Sequence, residues 1–185
     1  MAILPAVSSA MHGAVVPIAQ YVADGSSGYV LAFSNISQTY QDLMIVANSR
    51  NTSASALGYP YVRLNDDASS LYSDTDLVGN GTSATSSRNS TGGVGRVGVE
   101  PSGSSTSGIY GTLIIHILNY ANTSTFKTIL SRSAADLNGS GETRLLATLY
   151  RSTSGISSIR ISDEIGGNFA SGSTFTLYGI RTVNQ

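Results

Sequence analysis

The chain has no cysteine, which excludes a disulfide framework and a thiolate metal site and leaves the redox compartment open. Charge is scarce as well. Ten basic and eleven acidic residues among 185 give a net charge of −1, so no field draws in nucleic acid or an anionic membrane. Lys127 is the only lysine, and the nine arginines are scattered along the chain. A phosphate-binding stripe needs them clustered. Neither nucleic acid nor membrane is therefore an expected partner. No run approaches the ~18 apolar residues of a membrane span. The first 25 residues hold no Lys or Arg, and Pro5, His12 and Pro17 interrupt their apolar stretch, so no secretory signal is expected. The motifs G-x-S-x-G, H-E-x-x-H and G-x-x-x-x-G-K are absent, which removes the commonest signatures of a serine hydrolase, a zinc protease and a P-loop.

What is abundant is hydroxyl and glycine. Ser and Thr total 48 and Gly 20, while 41% of the residues are hydrophobic. Disorder combines low hydrophobicity with high net charge, and this chain has neither. Thr suits a pleated strand; Ser, Asn and Gly suit turns. Short apolar runs recur between turn clusters: "GYVLAF" (28–33), "DLMIVANS" (42–49), "YVRLND" (61–66), "IYGTLIIHILNY" (109–120), "FKTILSRS" (126–133), "TRLLATLYRS" (143–152), "ISSIRIS" (156–162) and "TFTLYGIRTV" (174–183). In "ISSIRIS", Ile159 and Ile161 share a face; in "TFTLYGI", Phe175, Leu177 and Gly179 do. A period of two marks half-buried strands. About eight antiparallel strands without helices predict an all-β sandwich or barrel. The expected organisation is an N-terminal arm over 1–25, part of which (14–23) joins the sheet, and one β-sandwich domain over 26–185. "LYSDTDLV" (71–78) lacks a clear period and reads as an irregular edge. Residues 79–107, mostly Gly, Ser and Thr, read as a surface excursion, with "RVGV" (96–99) as one short strand.

Candidate chemistry is thin. Gly93, Gly95 and Gly98 match G-x-G-x-x-G, but their flanks offer neither the strand nor the helix of a dinucleotide site; a flexible glycine loop is expected. Asp136, Asn138 and Ser140 have the spacing of the first calcium-loop ligands, yet Ala147 stands where the bidentate acid belongs. A tight turn is the expectation, with no metal and no cofactor. His116 reads as a neutral histidine satisfied by a polar neighbour. Six N-x-[ST] matches follow from composition. Lys127, after the turn "ANTST" of a hairpin over 119–133, reads as an outward charge that discourages edge pairing. Catalysis is the lesser expectation, since a pair such as Glu100, Glu142 or Glu164 would have to be gathered by the fold.

Residues 1–23 carry no formal charge yet include Ile3, Leu4, Val7 and Met11, the candidates for a latch onto a neighbouring chain. "FSNISQTYQDLMIVANSR" (33–50), "ILNYANTSTFKTILSRSA" (117–134) and "NFASGSTFTLYGI" (168–180) resemble signatures of small β-rich structural proteins of tailed bacteriophages. The resemblance implies a jelly-roll-like sandwich, often trimeric, on the particle exterior. The expected function is a non-enzymatic virion protein, foremost a capsid decoration (cement) protein contacting the major capsid protein and copies of itself. The alternative is a tail-fibre or tail-tip component whose Tyr59, Tyr61 and Tyr72 stack on host glycans, although packing of these rings in the sandwich is the plainer expectation.

Overall fold

Alternation of side chains becomes alternation of burial along most of the chain. The computed structural model describes residues 14–26 and 30–181, and these are all β, with no helix among them. In chain order the strands are β1 (Val15–Val22), β2 (Val30–Phe33), β3 (Asp42–Ser49), β4 (Leu57–Gly58), β5 (Pro60–Leu64), β6 (Tyr72–Gly79), β7 (Ala84–Gly92), β8 (Gly95–Arg96), β9 (Glu100–Pro101), β10 (Gly111–Ile117), β11 (Lys127–Asp136), β12 (Gly141–Tyr150), β13 (Ile159–Asp163) and β14 (Thr174–Ile180). They form an eight-stranded sheet in the order β1-β14-β3-β10-β11-β12-β6-β7, a four-stranded sheet β2-β13-β5-β8, and a two-stranded sheet β4-β9. The pairings are antiparallel throughout.

Fourteen strands replace the expected eight or so, because three two-residue strands and the hydroxyl-rich β7 carry no apolar alternation. The two larger sheets share one core. Leu43, Ile45 and Ala47 of β3, Leu113, Ile115 and Ile117 of β10, and Phe175 and Leu177 of β14 belong to the same buried cluster as Leu31, Val62, Leu64, Ile159 and Ile161 of the smaller sheet. Each such side chain contributes about 1.5–3 kcal/mol on full burial. Tyr72 stacks on Tyr150 with ring centroids 4.7 Å apart, and its hydroxyl accepts the Leu64 amide at 2.8 Å. At the far edge, β1 pairs with β14, with a register break between Pro17 and Ala19. Proline has no N–H for a ladder, so an edge strand is where it belongs.

Four expectations are corrected here, the first of them in part. The stretch 79–107 is a surface excursion only in part: β7 within it is largely exposed, but 95–102 turn inward through β8 and β9, and Val97, Val99 and Glu100 are fully buried. The glycine run within it is no flexible loop either. A Cβ on Gly98 would lie 2.5 Å from Ser133 Oγ, and one on Gly95 3.0 Å from the Tyr72 ring, so both glycines allow chain to lie flat against neighbouring side chains. Residues 71–78 are not an irregular edge: β6 lies between β12 and β7 with regular alternation, its inward positions being Tyr72, Asp74 and Asp76. Finally, Lys127 does not point outward. The hairpin turn is as expected, with Asn122 Oδ1 accepting the Ser124 and Thr125 amides at 2.7 and 2.9 Å. Lys127, however, is fully buried, and its ammonium donates to the carbonyls of Asn122, Thr125 and Thr153 at 2.6, 2.8 and 3.2 Å.

Candidate functional site

The inward face of the eight-stranded sheet is spoken for; its outward face carries most of the exposed large apolar side chains among the described residues. The register fixes two rows across it. One runs Val46, Ile114, Arg132, Leu145, Leu77, and the next Tyr178, Met44, His116, Leu130, Ala147. Leu77, Leu130 and Leu145 are 51%, 47% and 46% exposed. Of the eight large apolar side chains that are exposed among the described residues, Val15, Val22, Leu77, Leu130 and Leu145 occupy outward positions of this sheet. Leu118 and Phe126 continue the same phase just beyond β10 and β11. Apolar side chains scattered over a surface need no explanation, but this concentration on one flat face does.

Size is informative too. Eight strands at about 4.8 Å spacing, about seven residues long at 3.4 Å each, make a face of roughly 34 by 24 Å. That is close to the ~800 Å² one partner contributes to a standard protein interface. Next to the leucines lies a row of small residues, Ala134, Thr143, Gly79 and Ala84. Thr143, Gly79 and Ala84 of that row floor a shallow groove of about 300 Å³ walled by Leu77, Leu145 and Arg132. No described strand covers the face, and β7 at its margin is exposed on both sides along nearly its whole length.

The expected site residues are distributed as follows. Ile3, Leu4, Val7 and Met11 lie outside the described residues, as does His12. His116 sits on the outward face with Nε2 3.8 Å from Asp42 Oδ2. Asp136 Oδ1 accepts the Asn138 amide at 2.8 Å, and the Leu137 amide donates to the Ser140 carbonyl, so that stretch is the turn between β11 and β12. The three tyrosines do not make a stacking platform. Tyr72 is buried against Tyr150, Tyr59 lies beneath the Arg144 guanidinium at 4.8 Å, and Arg63 lies 6.0 Å from the Tyr61 ring.

The acids fall into two kinds of environment. Arg144 joins Asp76 and Glu142, each at 2.8 Å, and Arg96 meets Glu164 at 3.0 Å. Asp74 lies in the same inward row as Asp76, and burial raises the pKa of both against the pull of Arg96 and Arg144. Of the acids weighed for catalysis, Glu142 and Glu164 are thus held by arginines. Glu100 is fully buried beside Asp163. Burial pushes Glu100 up to about 8 and Asp163 up to about 6, each carboxyl being further raised by acidic neighbours and no base bearing on either. This pair was invisible in the sequence, where 63 positions separate its members. The inward row of β6 was not: Tyr72, Asp74 and Asp76 stand at a period of two.

Comparison with protein-family models, curated proteins and solved structures gives no match.

Proposed function

We propose that the protein is a non-enzymatic structural component of a bacteriophage particle, a capsid decoration (cement) protein that acts by adhesion. The observation that carries this reading is the outward face of the eight-stranded sheet. It is broad, no described strand covers it, it gathers most of the exposed leucine and valine among the described residues, and it offers about the area of one standard interface. On this reading the sandwich is a jelly-roll-like variant on the particle exterior. Its partners are the major capsid protein and further copies of the same chain in a homotrimer. Contact through the face adds buried apolar area at junctions of the shell, which opposes internal pressure. The resemblance of residues 33–50, 117–134 and 168–180 to phage structural proteins supports the same reading. Hydroxyl-rich strands favour it as well, because short side chains lose little rotamer entropy when a neighbour covers them.

Co-sedimentation of the full chain with the bacteriophage particles that carry it tests the face. The double variant Leu77→Asp/Leu145→Asp changes only exposed positions and is expected to melt within a few degrees of the parent. Its binding to particles should fall by at least roughly tenfold, since a carboxylate trapped unpaired in an interface costs more than 1.4 kcal/mol. Undiminished binding would remove the face from the proposal. Deleting residues 1–12 tests the latch in the same assay: a loss of binding is expected, and particle occupancy equal to that of the full chain would reject Ile3, Leu4, Val7 and Met11 as contact residues. Binding to host cells in place of particles would favour the tail-fibre reading.

A further inference from the structure

We infer that Glu100 and Asp163 form a proton-held clasp that keeps the small β4-β9 sheet closed on the sandwich and lets it open as the pH rises past neutrality. The geometry comes first. Glu100 belongs to β9, Asp163 ends β13 of the four-stranded sheet, and Ser49 beside them ends β3 of the eight-stranded sheet. The clasp therefore lies where all three sheets meet. It is packed tightly: a Cβ on Gly58 of β4 would come 2.6 Å from Asp163 Oδ2 and 3.2 Å from Glu100 Cγ. That leaves no space for a side chain at 58 and little for anything else between the acids. Glu100 is 0% and Asp163 4% exposed.

The hydrogen-bond inventory shows why a proton is required. Glu100 Oε1 and Oε2 and Asp163 Oδ2 are buried without a donor in good hydrogen-bond geometry; the Ser49 hydroxyl beside Glu100 and the Tyr59 amide beside Asp163 favour the ionised forms, but burial outweighs both. Two ionised carboxylates only accept, and in a buried joint their repulsion is poorly screened. One added proton converts an oxygen into an O–H donor and makes the two groups complementary. No base offers the alternative. From the 163–165 turn, Asp163 receives the Ile165 amide at 2.8 Å, while Glu164 is engaged with Arg96. From the 58–60 side, the neighbour is Tyr59, whose ring is covered by Arg144, itself bound to Asp76 and Glu142. Arg50 follows Ser49, but its guanidinium turns to Ser105, Thr106 and Ile109. The acids that act on the pair are each other and Glu164.

What the clasp holds is a flap. Residues 51–58 and 100–105 are joined to one another by Asn51 N to Pro101 O, Ser102 N to Ala56 O, Gly103 N to Ser53 O and Ser104 N to Ser55 O. These bonds make the flap one unit, tied to the body by Thr52 N to Asn168 O, Asn168 N to Thr52 Oγ1 and the Arg50 guanidinium on Ser105, all of which opening must break as well. Both carboxyls bind their protons more tightly in the closed form than in an opened, solvated one, with values of about 8 and about 6 against ordinary values near 4. The closed form thus holds more protons, and closure is strongest in acid. Its advantage is complete below the ordinary carboxylate range, declines as pH rises, and is gone once pH passes about 8.

Hydrogen exchange of the full chain, followed by mass spectrometry and corrected for the intrinsic pH dependence of exchange, reads this directly. Between pH 6 and 8 the opening constant of amides in 51–58 and 100–105 should rise about tenfold per pH unit, the effect of one proton released on opening. Amides of β10, which need global unfolding to exchange, release the same proton and share the slope, so they mark the global limit: the flap should open with that slope at a larger opening constant than β10. Glu100→Gln supplies a permanent donor and should flatten the dependence. Asp163→Asn does so from the other side and serves if the first variant fails to fold. A parent protein whose flap exchange has no pH slope, a flap that opens no more readily than β10, or a slope retained in a folded Glu100→Gln or Asp163→Asn variant overturns the clasp.

Discussion

Replacing Lys127 by methionine is expected to lower the unfolding midpoint by about 5–15 °C, the shift that a loss of roughly 2–4 kcal/mol produces in a domain of this size. The ammonium closes the 119–127 hairpin from beneath. It donates to Asn122 and Thr125 in the turn itself and to Thr153 in the segment after β12, so one charge ties two separate loops together. Burial holds its pKa below the ordinary lysine value, as expected for a cation enclosed by neutral carbonyls without a carboxylate partner. Methionine fills nearly the same volume, which keeps the cavity contribution small and isolates the lost charge-assisted hydrogen bonds. Alanine should cost more, because it adds a void. Thermal melts of the two variants beside the parent decide the matter: a methionine variant within about 2 °C of the parent would mean the ammonium contributes nothing net to the fold, the outcome known for some buried charges replaced by apolar groups.

Lys127 also shows where the sequence was legible and where it was not. Strands were readable wherever the inward positions are apolar, as at Ile159 and Ile161 or Phe175 and Leu177, because burial selects those residues and the pleat spaces them by two. In β11 the same phase runs Lys127, Ile129, Ser131, Ser133, Ala135, all buried. Followed strictly, the period places the lysine inside, and only the prior that lysine seeks water argues otherwise. In β6 the inward row Tyr72, Asp74, Asp76 hides its period behind polar residues, and in β7 both faces meet solvent, so no period exists to be read. The outward face was legible only in part. "LIIHIL" is apolar on both faces, and a sequence does not say which of two apolar faces a second sheet will cover. The acid pair depends on contacts between residues 100 and 163, which local pattern cannot supply.

A common thread joins these failures: the fold sorts several buried charges by environment and does not pair them by sign. Lys127 and Arg50, two cations with little or no exposure, are enclosed by carbonyls and hydroxyls, while Glu100 and Asp163 are enclosed by each other. Each arrangement satisfies the desolvated group in a different way, the first by dipoles and the second by a retained proton. Opposite-charge matching along a sequence finds neither.

Arg50 carries the second large effect. Its Nη1 donates to Ser105 Oγ, Thr106 O and Ile109 O at 2.9, 2.8 and 3.0 Å, and its Nη2 to Ser105 O at 2.9 Å. One planar fork thus organises the whole 105–109 turn that leads into β10. The backbone of Arg50 is fixed independently, its amide donating to Ser173 Oγ and its carbonyl accepting the Ala170 amide, so the side chain starts from a rigid base. Arg50→Ala is expected to cost about 3–5 kcal/mol, through lost charge-assisted hydrogen bonds and a void beneath the turn. Arg50→Lys should recover only a minor part, since a point charge with three donors on a flexible stem cannot reproduce four bonds fixed by a planar guanidinium. Denaturant unfolding gives the size of the loss, and limited proteolysis gives its place, with faster cleavage expected between residues 104 and 110. If lysine restores full stability, the positive charge alone suffices and the fork geometry is irrelevant. If alanine leaves both the midpoint and the cleavage pattern unchanged, the turn is held by its backbone contacts, among them Ser105 N to Ser102 O at 3.0 Å, and Arg50 is a passenger.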